Sequence, residues 1–202
     1  MTRRFAITFD YLCPFARNAN EHVIAGLRDG ADWDVTFRPH SLAQGHVADG
    51  EPALWDRDEP GLASGILALQ VGLAVRDERP EHFLAVHEGL FAARHDDGRD
   101  IKDPAVVWAV LERADLDPHE VFALVAGGKP LGVLRDEHEA DVHDHHVWGV
   151  PTFIAGGRAV FVRLLDRPGS DHALGRQRVE QVLDLVEGSL ALHEFKQTDL
   201  QV

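Results

Sequence analysis

Apolar and polar positions alternate between two periods along this chain, and the switches between them divide it into elements. Arg4-Phe5-Ala6-Ile7-Thr8-Phe9 is a short run of strand-forming residues without helical period, which predicts a buried strand. Asp10-Tyr11-Leu12 breaks it, and Cys13-Pro14 opens a helix, because proline is favoured at the first helical position. Ala16, Ala19, Val23 and Leu27 recur at helical spacing and mark that helix's buried stripe, which Gly30 ends. Trp33 to Arg38 alternates in the manner of a second strand.

The middle of the chain is helical. An apolar run from Leu62 to Val75 has helical spacing, and after Pro80 the residues Phe83, Val86, Leu90 and Phe91 share a face. Asp103-Pro104 and Asp117-Pro118 are two helix starts, each an N-cap residue followed by proline. The first leads into Val107, Val110 and Leu111, the second into Val121 and Phe122, and Pro130 opens a further helix toward Val147. The pattern then returns to strands: Thr152 to Ala155, Gly156-Gly157, and Arg158 to Val162 read as a hairpin whose glycines supply the positive φ of a tight turn. Val179, Val182, Leu183, Val186 and Leu190 mark a last amphipathic helix. The order β-α-β, then a long helical stretch, then β-β-α predicts an α/β fold with a helical insertion.

Charge and composition narrow the function. The 202 residues carry a formal charge of −14, so a nucleic-acid-binding surface or a basic membrane-binding patch is not expected. No apolar run reaches the ~18–20 residues of a spanning helix. The N-terminal Arg3-Arg4 pair is not followed by the apolar stretch of a signal peptide, and a cytoplasmic location is the expectation. There is one cysteine, Cys13, so an internal disulfide framework and a cysteine-based zinc site are excluded.

That cysteine is the sharpest chemical feature. A thiol at a helix N-terminus meets unpaired N–H donors and the positive end of the helix dipole, both of which favour the thiolate. The expectation is an exposed sulfur with a depressed pKa, poised to attack a disulfide or an electrophile. His40, after the second strand, is a candidate general base near it. Glu139, His143 and His146 would share one helix face, but the stretch from 138 to 146 reads more simply as a solvated polar surface, and no metal site is expected. Asp96-Asp97-Gly98-Arg99-Asp100 lacks the glutamate and spacing of a calcium loop, and Gly127-Gly128-Lys129 lacks P-loop spacing.

Two motifs taken together carry a resemblance. A strand followed by Asp10-Tyr11-Leu12-Cys13-Pro14-Phe15-Ala16 at a helix start, a helical insertion, then Trp148-Gly149-Val150-Pro151-Thr152 before a hairpin and a last helix, resembles the DsbA-like branch of the thioredoxin superfamily from about Phe5 to Leu190. The resemblance implies a thioredoxin-like domain formed by residues 1–40 and 149–202, with residues 41–148 as the insertion. It also implies that Pro151 is cis and faces the nucleophile Cys13, that the backbone of Val150 holds a bound thiol or peptide, and that Asp10 lies just before the nucleophile. Pro14, Phe15 and Trp148 would wall the site.

The chain departs from the family pattern where the second cysteine would stand, which is Ala16. Cys13 can then form a mixed disulfide but cannot resolve it within the chain. The first expectation is a DsbA-type thiol oxidoreductase with a single nucleophile, using a low-molecular-weight thiol such as glutathione or mycothiol as co-substrate and holding no tightly bound cofactor. The alternatives are a thiol-dependent isomerase or transferase, similar to the 2-hydroxychromene-2-carboxylate isomerases or the kappa-class glutathione transferases, and a binding module without turnover. Mycothiol-dependent reductases of DsbA-like type show a loose similarity at Phe37 to Leu42 and at Leu192-His193-Glu194-Phe195-Lys196, but keep both cysteines. The helical subdomain offers a face through which two copies could pair as a homodimer.

Overall fold

A computed structural model describes residues 1–60, 65–188, 191, 194 and 196. Leu62, Leu190, Leu192, His193 and Phe195 lie outside the described residues. The first strand, β1, spans Arg3–Phe9, and the helix α1 spans Pro14–Arg28. Strand β2 (Trp33–Pro39) lies parallel to β1, in register from Arg3 opposite Trp33 to Phe9 opposite Pro39. Strands β3 (Thr152–Ala155) and β4 (Arg158–Phe161) form an antiparallel hairpin, and β3 also pairs antiparallel with β1 through Ala6–Ile154 and Ile7–Phe153. The sheet order is β2-β1-β3-β4. Gly156 and Gly157 turn the hairpin with φ of 57° and 76°, the doubly positive pair that a two-residue turn demands.

Between β2 and β3 the described residues form five α-helices: α2 (Ile66–Glu78), α3 (Pro80–His95), α4 (Pro104–Arg113), α5 (Pro118–Ala126) and α6 (Lys129–His145). The Asp103 and Asp117 carboxylates accept the N–H of Ala105 and His119 at 2.9 Å, the capping expected of an Asp-Pro start. Helix α2 is buried on nearly every side, which is why its sequence shows an apolar run and not a stripe. Two short 3-10 turns, Gln44–His46 and Leu54–Asp56, precede it, and nothing in the periodicity announces them.

The last helix, α7 (His172–Gly188), buries Val179, Val182, Leu183 and Val186 against α1 and β3. It comes close to α1 because Gly175 has no side chain: a Cβ there would stand 2.5 Å from Ala25 Cβ and 2.9 Å from the His22 carbonyl oxygen. Arg3 ties the start of β1 to α7 through Glu180, Asp184 and Glu187. One continuous apolar core includes Ile7, Phe9, Val23 and Phe153 around the sheet as well as Leu69, Leu73, Leu90 and Leu111 among the inserted helices. The C-terminal ends of β1 and β2, the start of α1 and the chain entering β3 all meet at one end of the sheet, where Cys13 lies.

Candidate active site

Cys13 is the N-cap of α1. Its sulfur accepts the N–H of Ala16 at 3.4 Å, and its own N–H donates to the Asp10 carbonyl at 3.0 Å. On its other side the thiol donates to the Val150 carbonyl oxygen, also at 3.4 Å. The Val150–Pro151 peptide bond is cis. Thr152 pins this loop: its N–H donates to Thr8 Oγ1 on β1, its hydroxyl donates to the Gly149 carbonyl, both at 2.8 Å, and the Pro151 carbonyl accepts from the Val162 N–H at 3.1 Å.

The sulfur is not exposed as the motif alone implies. Cys13 is only 8% accessible, because the Val150–Pro151 loop covers it. Its pKa is correspondingly raised, not depressed: burial disfavours the thiolate, and this outweighs the N–H groups of Ala16 and Phe15, which favour it. The Asp10 charge adds to the rise, and the Arg163 charge opposes it.

Asp10 is fully buried at the end of β1. Its two oxygens accept the N–H of Leu12 at 2.9 Å and of Leu42 at 2.8 Å, so the carboxyl joins the cysteine loop to the chain leaving β2. Burial pushes its pKa up to about 6 in spite of those bonds. Pro14 is exposed and Phe15 half-buried at the first turn of α1. The Arg163 guanidinium lies over the Phe15 ring, 5.3 Å from its centroid. Trp148 packs tilted against Phe161, ring centroids 4.5 Å apart, and is 73% exposed, so it is not an inner wall.

His40 belongs elsewhere. Its ring is buried against that of His138, with centroids 4.3 Å apart, and burial lowers its pKa to about 3. His138 Nδ1 accepts from the Ser41 N–H, and Trp55 packs edge-on to the same ring. The hydrogen bonds of the Cys13 sulfur go to Ala16 and Val150 and not to His40, which is a packed histidine of the insertion boundary. On α6 and its C-terminal cap, Glu139, His143 and His146 are exposed, and His143 pairs with Asp144. Among the described residues no group of three or more metal-ligating side chains is found. Asp96 accepts from Arg17 and Arg167 and so fastens a structural corner.

Two features beside the thiol reach beyond both sequence motifs. One is Arg163, whose place over Phe15 depends on how the hairpin folds back. The other is a buried polar chain: Tyr11 hydroxyl to His87 Nδ1 at 2.9 Å, His87 Nε2 to Asn20 Oδ1 at 3.1 Å, and Asn20 Nδ2 to the Ala16 carbonyl at 2.8 Å. Polar residues at the apolar spacings of α1 and α3 were the signal for it.

Solved structures share the fold. Cytosolic disulfide reductase DsbM from Pseudomonas aeruginosa superposes with a TM-score of 0.62 at 18% identity, over 90% of this chain and 99% of that one. Its structure with GSH gives the same TM-score at 17% identity, over 90% and 100%. A probable DsbA oxidoreductase from Streptomyces coelicolor gives 0.60 at 19% identity, over 98% and 94%. No curated protein sequence matches. At these identities the likeness concerns the fold. The sequence itself matches the DSBA-like thioredoxin domain over residues 6–187, a span holding the Cys13 loop, the inserted helices and the Val150–Pro151 turn, and the chain belongs to that family.

Proposed function

We propose that the protein is a thiol oxidoreductase that works through one nucleophile, Cys13, and an external small thiol. The observation that carries this reading is the placement of the only thiol in the chain at the start of α1 against the carbonyl preceding cis-Pro151, with Ala16 where a resolving thiol would stand. The Cys13 thiolate attacks one sulfur of a disulfide RSSR. A Cys13–SR bond forms, RS⁻ leaves and takes up a proton as RSH, and the cysteine is oxidised while RSSR is reduced. A second thiol molecule then attacks the mixed disulfide from outside, which returns Cys13 and releases a new disulfide. Asp10 holds the loop, Pro14 and Phe15 shape the approach, and the Val150 carbonyl and Pro151 offer backbone to the incoming group.

Glutathione and mycothiol are the co-substrates considered, and a solved relative with GSH supports a small thiol of this kind. Residues 1–40 and 149–202 carry the chemistry in this reading, and residues 41–148 frame it. A cytoplasmic setting, where such thiols abound, agrees with a cytosolic structural relative. The burial and raised pKa of Cys13 favour a second reading, in which the thiol holds the sulfur of a bound cofactor during an isomerase or transferase reaction. Cys13→Ser separates the two. Loss of thiol–disulfide turnover to the level of Cys13→Ala supports the mixed-disulfide cycle, whereas glutathione-dependent isomerase or transferase turnover retained by Cys13→Ser overturns it in favour of the second reading.

A further inference from the structure

Arg163 follows β4 and reaches the mouth of the site, where its guanidinium caps the Phe15 ring at 5.3 Å, two residues past Cys13. Among the described residues it makes no ion pair with a carboxylate, although the chain carries a formal charge of −14 and most of its arginines are paired. An arginine left without a carboxylate on so acidic a protein, and held by a ring contact beside the only thiol, keeps all its donors for something from outside. Trp148, exposed and packed against Phe161 two residues before Arg163, adds a flat apolar surface.

We propose that Arg163 is the anion-recognition element of this thiol site, and that the small molecule whose sulfur meets Cys13 carries a carboxylate. The inference rests on the reading of Cys13 as the site's thiol, and it narrows the co-substrate. A peptide-like thiol such as glutathione bears carboxylates, whereas a sugar-based thiol such as mycothiol bears none. A planar guanidinium takes a carboxylate through two parallel N–H···O bonds, which fixes the orientation of the attached sulfur. The reaction is the exchange written above, in which Cys13–SH and RSSR give Cys13–S–SR and RSH.

The test uses three small disulfides of similar size: dithiodiglycolate (dianionic), bis(2-hydroxyethyl) disulfide (neutral) and cystamine (dicationic). Capping rates are divided by those for free 2-mercaptoethanol. Any influence of Arg163 on the ionisation of Cys13 scales all three rates together and cancels in their ratios. A full charge about 6 Å from a carboxylate in a water-like medium changes a rate by about threefold. The wild type should therefore prefer the dianion over the neutral reagent by about threefold or more, against the pull of its own net charge. The preference should shrink in high salt, vanish in Arg163→Gln and persist in Arg163→Lys. An unchanged ratio in Arg163→Gln, or cystamine as the fastest reagent, overturns the proposal. Binding of S-methylglutathione, which cannot form a disulfide, is followed by calorimetry as a second readout. Binding by the wild type that Arg163→Gln loses upholds the anion site even if no disulfide caps Cys13, a result that would sink only the mixed-disulfide reading. No binding by the wild type overturns the anion site itself.

Discussion

The Cys13 sulfur and the Val150 carbonyl oxygen, 137 positions apart in sequence, stand 3.4 Å from each other. Only the protonated thiol can donate to that carbonyl. The contact therefore holds Cys13 in its neutral form until a ligand takes the carbonyl or a base takes the proton, and the thiolate forms against burial.

The first prediction concerns that ionisation. Alkylation of Cys13 by iodoacetamide, measured against pH, should reach half its maximal rate above the ordinary thiol value of about 8.5. Asp10→Asn removes a negative charge that raises the thiol pKa, so the profile should move to lower pH. A profile centred below neutrality would show that the helix start prevails over burial.

Restoring the missing thiol is the second prediction. Ala16 is fully buried, and its N–H points at the Cys13 sulfur from 3.4 Å. Ala16→Cys should close an intramolecular disulfide under mild oxidation and shed any small-thiol adduct, seen by intact mass as the loss of two hydrogens in place of an adduct. An adduct that survives on the variant would show that the two positions cannot meet.

The buried chain from Tyr11 to Asn20 makes a third. Tyr11→Phe leaves the ring in place but strands His87 Nδ1, a fully buried group, at a cost of about 1–3 kcal/mol in urea unfolding. A Cβ on Gly72 would stand 2.4 Å from the Tyr11 hydroxyl. Gly72→Ala should therefore be destabilising alone and less so in the Tyr11→Phe background, and strict additivity would contradict the contact.

Acid should unfold the protein, and the sign follows from the buried histidines. His40 and His87 are held near 3 and His138 near 4, all below the ordinary 6.5, by burial. Each stays neutral in the folded chain while its unfolded counterpart takes up a proton as pH falls below 6.5. Each therefore removes about 1.4 kcal/mol of stability per pH unit in that window. Asp10 acts in the opposite sense between its ordinary 3.8 and about 6, because the folded form binds the proton more tightly. From these four groups the combined loss between about pH 6 and 4 is about 3 kcal/mol per unit. Urea unfolding across that range should show it, and His40→Gln should lessen the slope by about 1.4 kcal/mol per unit. A stability that is flat from pH 6 to 4 would contradict the burial of these rings.

What the sequence revealed was local. Asp103-Pro104 and Asp117-Pro118 cap their own helices, Gly156-Gly157 turns its own hairpin, and Cys13-Pro14 opens α1, each through atoms within a few residues. What it concealed is set by distant partners. Cys13 reads as exposed because the loop that covers it arrives from position 150, and His40 reads as a free base because the ring that buries it sits on α6. Arg163 carries no pattern at all until β4 brings it over Phe15.

Whether Cys13, though covered, exchanges with a small disulfide in the folded protein is read from the intact mass of the native chain after incubation with glutathione disulfide. A single glutathionyl adduct that maps to Cys13 and is released by added thiol is the expected result. A native chain that stays unmodified, while the urea-unfolded chain accepts the adduct, would contradict it.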